Sequence, residues 1–226
     1  MSGTDRWTIY HIFADDGVES EPLSAYGDVV RVGLDPRKNE FSTAVKANAK
    51  AMPLKPGADL VVLHPPCYPW TQRDAEDAEN LVPLARQLGQ RLGDEYVIEN
   101  KPDAPLGDPV VLDGSMFGLP VEYKRAFETS YEIEQPRRRG DWSPAHRVEN
   151  TRPKAYWKGV KGVTGDYRTQ TLALSGTPAC YVHYLLRPLS DPYHEVDTRQ
   201  STLVQTDGGC NPRYVHTDTQ RGGDQS

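Results

Sequence analysis

Cys67 lies where a thiol could act as a nucleophile. It follows the apolar run 60–63, whose β-branched and aliphatic side chains, bounded by glycine and proline, predict a buried central strand. Open α/β sheets bind ligands where the chain leaves such strands at their carboxyl ends, and Pro65 and Pro66 stiffen this stretch by fixing φ. On these residues alone, a small buried cysteine in a tight turn is the more common interpretation, because a single cysteine carries no specificity without partners.

A carboxyl group follows a second predicted strand. The β-type run 96–98 ends in Glu99, Asn100 and Lys101, and the two strand ends together offer a nucleophile and an acid. A carboxyl group at the mouth of an apolar sheet loses hydration, which favours its protonated form and suits it to donate a proton near neutral pH. Taken alone, Glu99 could equally be a surface carboxylate or a helix cap.

Several short motifs follow one another in order between residues 59 and 128. They are Pro65-Pro66-Cys67, Tyr96-Val97-Ile98-Glu99-Asn100, Ala104-Pro105-Leu106, Gly114-Ser115-Met116-Phe117-Gly118-Leu119 and Arg125-Ala126-Phe127-Glu128. This order and spacing resemble the core of the DNA (cytosine-5) methyltransferases, and the likeness is closest to the short single-domain forms found in viruses of bacteria and archaea. The resemblance implies a Rossmann-like S-adenosylmethionine-dependent methyltransferase sheet with a small target-recognition insert.

The resemblance also implies a role for four residues. Cys67 matches the nucleophile that adds to carbon 6 of cytosine, which turns carbon 5 into the atom that attacks the methyl group of S-adenosylmethionine. Glu99 matches the acid that stabilises the charge developing at ring nitrogen 3, and Asn100 matches the residue that holds the neighbouring loop. The family has two arginines before its Phe-Glu, and this chain keeps only Arg125, with Tyr123 at the other position.

The cofactor-binding half departs more from the family. Runs 7–13 and 29–34 predict two strands, and Asp35 at the end of the second fits the acid that binds ribose hydroxyls in nucleotide-binding α/β units. Between them the family has a glycine-rich turn, whereas this chain keeps one glycine of the three. The predicted cofactor contacts are Phe13, Asp15, Asp16, Gly17, Asp35, Asn48 and Pro65.

The altered turn leaves three outcomes open. A side chain at a glycine position restricts positive φ and narrows the cleft. The loop could take another route around the cofactor, with Asp15 or Asp16 binding its ammonium group, it could bind weakly, or it could have lost the cofactor. Asn48 could contact the adenine amine or could simply be a polar helix or turn residue.

A basic and aromatic segment follows the last motif. The reacting carbon of cytosine lies inside the duplex stack, so the base must be swung out at a cost that contacts with double-stranded DNA must offset. The predicted DNA contacts are Arg137, Arg138, Arg139, Arg147, Lys154, Trp157 and Lys158. The formal charge of -6 argues against a broad nonspecific basic surface, and the alternative for this segment is an ordinary solvated loop.

Composition bounds the remaining expectations. A length of 226 residues with 37% hydrophobic content suits one α/β domain with a modest insert. We expect a catalytic and cofactor-binding core over 1–128, a target-recognition insert over 129–168, a returning segment over 169–189 and a polar, flexible tail over 190–226. The apolar stripe within 74–93 predicts a crossover helix between the two catalytic strands, and the segment around Cys180 predicts a last helix in which that thiol is structural.

Location and metal binding follow from what the sequence lacks. No run is apolar and long enough to cross a bilayer, and residues 1–6 carry no secretory pattern, so a cytoplasmic monomer is expected, in the host cytoplasm if the protein is viral. Cys67, Cys180 and Cys210 form no close pair and no metal spacing. The six histidines are scattered, so a metal site is not expected.

Three functions remain open at this point. The first is DNA (cytosine-5) methyl transfer. The second is a methyltransferase-like protein that holds DNA or an enzyme subunit without turnover, which the altered glycine turn would explain. The third is the same addition chemistry on another substrate, such as RNA or a free nucleotide, or with another donor.

Overall fold

The fold is a single mixed sheet with helices on both faces. The computed structural model describes residues 6–70, 78–138, 140–149 and 151–190. The strands are β1 (Trp7–Ile12), β2 (Gly27–Gly33), β3 (Thr43–Lys46), β4 (Ala58–Leu63), β5 (Gly93–Asn100), β6 (Val110–Leu112) and β7 (Arg125–Thr129). The α-helices are α1 (Ser20–Leu23), α2 (Val82–Leu92), α3 (Gly114–Phe117), α4 (Lys154–Lys161), α5 (Thr169–Leu174) and α6 (Ala179–Leu186), and 3-10 helices cover Ala49–Ala51 and Tyr68–Trp70.

The strand order places the functional edge of the sheet. The seven strands run in the order β3-β2-β1-β4-β5-β7-β6, and the first five are parallel in the doubly wound order, with the switch point between β1 and β4. β7 is antiparallel to both of its neighbours, β5 and β6. The predicted α/β fold is confirmed, and the predicted strands at 7–13, 29–34, 60–63 and 96–98 coincide with β1, β2, β4 and β5 within a few residues.

The central strands are buried on both faces, which explains their continuous apolar runs. Along β4, Leu60 and Val62 face the larger core cluster with the C-terminal helices, and Val61 and Leu63 face the cluster under α2. All four are at most 7% exposed. Because side chains alternate between the faces of a strand, β4 packs into both core layers. This packing fixes the position of the loop that follows β4.

The predicted crossover helix is shorter than its apolar stripe suggested. α2 begins at Val82, where the side chain of Asn80 accepts a hydrogen bond from the backbone of Val82 (3.0 Å) and Pro83 occupies the first turn. Ala85, Leu88 and Leu92 are buried as the stripe predicted. Residues 71–77 lie outside the described part, so the amino-terminal portion of the prediction is not covered.

The segment after β7 is built into the body of the fold. Trp157 and Val160 of α4 and most of α6, including Cys180, are buried in the larger core cluster. Glu21 of α1 fixes the chain after α4, because its carboxylate accepts hydrogen bonds from the backbone of Thr164 (2.7 Å) and Gly165 (3.0 Å) and from the hydroxyl of Tyr167 (3.0 Å). The predicted tail lies outside the described residues except for Ser190, and so does Cys210.

Over residues 6–70, 78–138, 140–149 and 151–190, none of the helices has both the length and the apolar character needed to span a bilayer.

Candidate active site

The predicted catalytic residues meet at one edge of the sheet. Cys67 follows β4, Glu99 and Asn100 end β5, and Arg125 begins β7. Because β7 is antiparallel to β5, its first residues lie opposite the last residues of β5, with Asn100 paired to Ala126 and Glu99 to Phe127. The antiparallel strand therefore brings an arginine to the edge where the parallel strands end.

A cavity of about 460 Å³ opens at this edge. It is lined by residues from the loop after β1, from the ends of β4 and β5, from the start of β7 and from α5 with the turn after it. Eight predicted site residues lie on its walls: Cys67, Glu99, Arg125, Phe13, Asp15, Asp16, Gly17 and Pro65. Asn100, Asp35 and Asn48, which are also described, are not part of this lining.

The loop that carries Cys67 is held from behind. The side-chain amide of Asn100 donates a hydrogen bond to the carbonyl of Pro65 (2.9 Å), and the backbone of Trp70 donates to the carbonyl of Cys67 (3.0 Å) to close a 3-10 turn. Asn100 is 2% exposed, so its amide can serve only such internal contacts. It fixes the direction of the thiol without lining the cavity itself.

Glu99 is held between an imidazole and a guanidinium group. One carboxylate oxygen accepts from Nδ1 of His64 at 3.0 Å, and the other lies 2.8 Å from Nε of Arg125. Burial alone would raise the pKa of Glu99, but the hydrogen bond from His64 and the charges of Arg125 and Lys101 outweigh it, so its pKa lies below the ordinary value. The expectation of a protonated Glu99 is thus wrong for the unliganded site, because the sequence did not reveal these partners.

The lone arginine of the motif is anchored by Tyr123. The Nη2 group of Arg125 donates to the Tyr123 hydroxyl (2.6 Å) and to the carbonyl of Leu174 (2.7 Å), and its guanidinium carbon lies 4.1 Å from the ring centre of Tyr123. The opposite contact to the same ring is Nζ of Lys161, at 3.1 Å from its centre. The tyrosine that replaces the first arginine therefore positions the second.

The loop after β1 is supported from below by a buried arginine. Arg31 of β2 is fully buried, and its guanidinium donates hydrogen bonds to the carbonyls of Ala14 (2.9 Å), Asp15 and Arg37. Gly17 has a φ of 63°, and a Cβ there would lie 2.4 Å from Cδ of Arg31. The single retained glycine is thus required both by its backbone conformation and by the arginine beneath it.

Both aspartates of this loop have partners within the fold. Asp15 accepts a hydrogen bond from the backbone of Asp35 (2.9 Å). Asp16, which is 8% exposed, pairs with Nε of Arg168 (2.8 Å) and accepts from the hydroxyl of Thr171. The carboxylate of Asp16 therefore fastens the loop to the start of α5.

The other two predicted cofactor residues point elsewhere. The side chain of Asp35 is 90% exposed and lies 3.6 Å from Nζ of Lys46. Asn48 caps the 3-10 helix Ala49–Ala51 by accepting from the backbone of Lys50 (2.9 Å). This contact agrees with the alternative that the sequence left open for Asn48, namely a polar residue of a turn.

The basic segment is largely exposed, but several of its cations are paired. Arg137, Arg138, Arg147 and Lys154 are exposed. Arg138 pairs with Asp113 (2.9 Å), Lys154 pairs with Asp166 (2.8 Å), and Lys158 donates to the carbonyl of Thr164 (2.6 Å). The prediction that Trp157 contacts DNA needs correction, because its ring is 0% exposed and packs in the core. Arg139 lies outside the described residues.

Several residues of the site were given no role by the sequence reasoning. His64 lines the cavity, and Arg31, Lys161 and Arg168 support its walls. His64 is adjacent to the cysteine motif, so position alone could have indicated it. The other three approach from α4, α5 and β2, and only the fold brings them near.

Comparison with known proteins decides the fold but not the activity. No family model and no curated protein matches the chain. Among solved structures, the methyltransferase EhMeth of Entamoeba histolytica is similar with a TM-score of 0.50 at 10% identity, and the match covers 82% of this chain and 99% of that one. This chain has a methyltransferase fold. The crystal structure of S. pombe Dnmt2 methyltransferase also matches, at a TM-score of 0.41 and 13% identity, over 57% of this chain and 53% of that one.

Proposed function

We propose that this protein is an S-adenosylmethionine-dependent DNA (cytosine-5) methyltransferase. The observation that carries the proposal is the shared cavity, which is lined by the thiol of Cys67, the carboxylate of Glu99, the guanidinium of Arg125 and the glycine loop. A nucleophile and an acid must reach the same base, and residues that line separate cavities could not do so. The methyltransferase fold supports S-adenosylmethionine as the methyl donor.

The cavity suits a cofactor of the proposed kind. Its volume of about 460 Å³ lies within the roughly 300–1,000 Å³ typical of ligand pockets. Phe13, which has a positive φ of 62°, and Asp15 both line the cavity, and Asp15 supplies negative charge for an ammonium group. When bound, S-adenosylmethionine would supply an electrophilic methyl group, and Phe13, Asp15, Asp16, Gly17 and Pro65 would hold it.

The side chains opposite this loop suit covalent activation of cytosine. The thiolate of Cys67 would add to carbon 6, and the electrons of the C5–C6 double bond would move toward nitrogen 3, where Glu99 would deliver a proton. A cytosine that binds over Glu99 would exclude water from its carboxyl group, which favours the protonated form of that group. Once carbon 5 carries the methyl group, loss of the carbon 5 proton to solvent, return of the nitrogen 3 proton to the Glu99 carboxylate and breakage of the Sγ–C6 bond would restore the C5–C6 double bond and the thiolate.

Arg125 would act on the same atoms from the side of β7. Its Nε already donates to Glu99 at 2.8 Å, its Nη2 donates to the Tyr123 hydroxyl and the carbonyl of Leu174, and its Nη1 donates to the carbonyl of Lys124. Such fixed donors cost no reorganisation during the reaction. Exposed cations after β7, Arg137 and Arg147, would contact the phosphates of double-stranded DNA.

The direct test is transfer of a labelled methyl group from S-adenosylmethionine to duplex DNA of mixed sequence. We expect incorporation by the wild type and its loss in Cys67→Ala, whereas Cys180→Ala, which changes a core thiol on α6, should retain it. Bisulfite sequencing of DNA from cells that express the chain would report the target sequence. Equal incorporation by Cys67→Ala would refute the covalent mechanism.

One observation favours a second candidate, a methyltransferase-like DNA-binding protein without turnover. Oδ2 of Asp16 is held by Arg168 and Thr171, which leaves only Oδ1, 3.9 Å from Nη1 of Arg37, to receive an ammonium group. Calorimetry with S-adenosylmethionine separates the candidates. Heat of binding, with or without DNA, supports the enzyme, and its absence in folded protein supports the second candidate.

A further inference from the structure

Three ligand-type side chains converge beneath the cavity. They are His11 of β1, Glu19 in the turn before α1, and His64 after β4, and their ligand atoms all lie within 4.8 Å of one another. His11 is 0% and Glu19 is 6% exposed. The residues lie far apart in the sequence and form no metal motif, which is why the scattered histidines predicted no site.

Both imidazoles direct an unsatisfied nitrogen into this cluster. Among the described residues, neither Nε2 of His11 nor Nε2 of His64 has a hydrogen-bond partner, although both atoms are buried. Buried polar atoms without partners are rare in native proteins and call for an unseen water or ion. The two rings lie edge to face with centres 4.9 Å apart, and each contributes a ligand atom to the cluster.

The opposite nitrogen of each ring is already bound. Nδ1 of His11 lies 2.8 Å from the hydroxyl of Ser20, and Nδ1 of His64 lies 3.0 Å from the carboxylate of Glu99. Histidines that ligate metals almost always use their second nitrogen in this way, because the contact fixes the tautomer and leaves the first nitrogen as a ligand. The carboxylate on His64 is the arrangement typical of zinc sites.

Glu19 completes the set with one oxygen. Its Oε1 accepts from the backbone of Thr177 (2.5 Å), and its Oε2 lies 3.8 Å from Nε2 of His11. This distance is too long for a hydrogen bond. Ligands about 2.0–2.2 Å from one ion stand roughly 3–3.5 Å apart, so a small inward movement of the side chains would close the shell.

We propose that Nε2 of His11, Nε2 of His64 and Oε2 of Glu19 bind one divalent transition-metal ion of the zinc class. Two imidazoles with one carboxylate suit this class, whereas calcium and magnesium prefer oxygen ligands alone.

The ion would tie together parts of the fold that surround the active site. It would link β1 to the loop after β4, and through Glu19 and Thr177 it would reach the turn before α6. His64 would be fixed with its Nδ1–H directed at Glu99. The inference goes beyond the proposed function, and its tests do not use catalytic activity.

The experiment is a metal titration of the untagged full-length protein after treatment with a chelator. We expect one equivalent of Co²⁺ to bind with the visible absorption of a low-symmetry nitrogen and oxygen site, to raise the Tm, and to be displaced by Zn²⁺. A folded wild type that shows neither absorption nor a shift in Tm with either ion would overturn the proposal and leave a buried water in the cluster.

Variants locate the ion. His11→Gln and Glu19→Gln should each weaken Co²⁺ binding at least tenfold, because each removes one ligand. His183→Gln is the matched control, since His183 is a partly buried histidine whose Nδ1 is paired with the hydroxyl of Tyr26 (2.8 Å) outside the cluster. Equal loss in the control, or full binding in both ligand variants, would overturn the assignment. If His11→Gln does not fold, Glu19→Gln and the wild-type titration decide.

Discussion

The two sides of the cavity are fastened differently. On the side of β4, β5 and β7, polar side chains bond to one another across the strand ends, as Glu99 does to Arg125 and Asn100 to the carbonyl of Pro65. On the side of the loop after β1, the side chains bond to neighbouring elements, as Asp16 does to Arg168 at the start of α5. The first side presents reactive groups, and the second presents a loop held in place by its neighbours.

This difference predicts that the two sides tolerate substitution unequally. A reactive group must keep its chemical type and its neighbours, whereas a backbone surface can be supported by any residue that reaches it. Arg31 and Arg168 do so here from β2 and from the start of α5. A turn with a single glycine can therefore still form an intact wall.

The largest effect is expected for Glu99→Gln on the reactive side. The amide keeps the shape but cannot deliver a proton to nitrogen 3, so kcat for methyl transfer should fall by about 10²–10³-fold. Glu95→Gln, which alters an exposed carboxylate at the other end of β5, is the control and should retain activity. A loss confined to KM would instead mean that Glu99 only binds the base.

Gly17→Ala tests the supported side. A positive φ and the contact with Arg31 should together lower the free energy of unfolding by about 1–3 kcal/mol and weaken binding of S-adenosylmethionine. Gly159→Ala is the matched control, because a Cβ there meets nothing within 4 Å and alanine favours the middle of α4. Chemical denaturation should show a lower free energy of unfolding for Gly17→Ala and a higher one for Gly159→Ala. A change of the same sign in both variants would contradict the proposed support by Arg31.

A smaller effect is expected for Arg168→Ala. Its side chain is 57% exposed, so the contribution of the ion pair to stability is small. Without the ion pair to Arg168, Asp16 should fix the loop after β1 less firmly. Binding of S-adenosylmethionine should then weaken by about 3–10-fold, a cost near 1 kcal/mol. Lys154→Ala, which removes an exposed pair with Asp166, should leave the affinity unchanged. Tighter binding by Arg168→Ala would mean that Asp16 itself receives the ammonium group once released.

The smallest effect is expected at Glu128, a residue of β7 whose contacts lie on the reactive side but away from the cavity. Burial would raise the pKa of Glu128, but hydrogen bonds from Arg86 and the backbone of Gly107 lower it below the usual 4.5. A depressed folded pKa stabilises the protein above the unfolded value, and this contribution is lost as the pH falls from about 4.5 through the folded pKa. Glu128→Gln should therefore flatten the fall of unfolding free energy below pH 4.5, and an unchanged slope would contradict this role.

The sequence predicted the strands and the reactive side because both depend on local signals. Apolar runs located β1, β2, β4 and β5, and the motifs around Cys67 and Glu99 placed their residues at strand ends that the parallel order brings together. The protonation of Glu99 was predicted wrongly because it depends on His64 and Arg125. Those contacts join residues 35 and 26 positions away from Glu99.

The sequence failed where a role depends on packing between distant elements. Trp157 resembled a stacking residue because basic residues surround it, yet it lies on the buried face of α4. Asp16, a predicted cofactor contact, also pairs with Arg168 at the start of α5, about 150 residues further along the chain. Neither contact can be predicted from the residues that are adjacent in sequence.

The most direct measurement of the central claim is covalent trapping on DNA. Duplexes of random sequence that carry 5-fluorocytosine in place of cytosine have no carbon 5 proton to lose after methylation, so the Sγ–C6 bond would persist. The account predicts a denaturation-resistant complex that forms with the wild type only when S-adenosylmethionine is present, and no complex with Cys67→Ala. A folded wild type that binds both DNA and S-adenosylmethionine but forms no complex would contradict it.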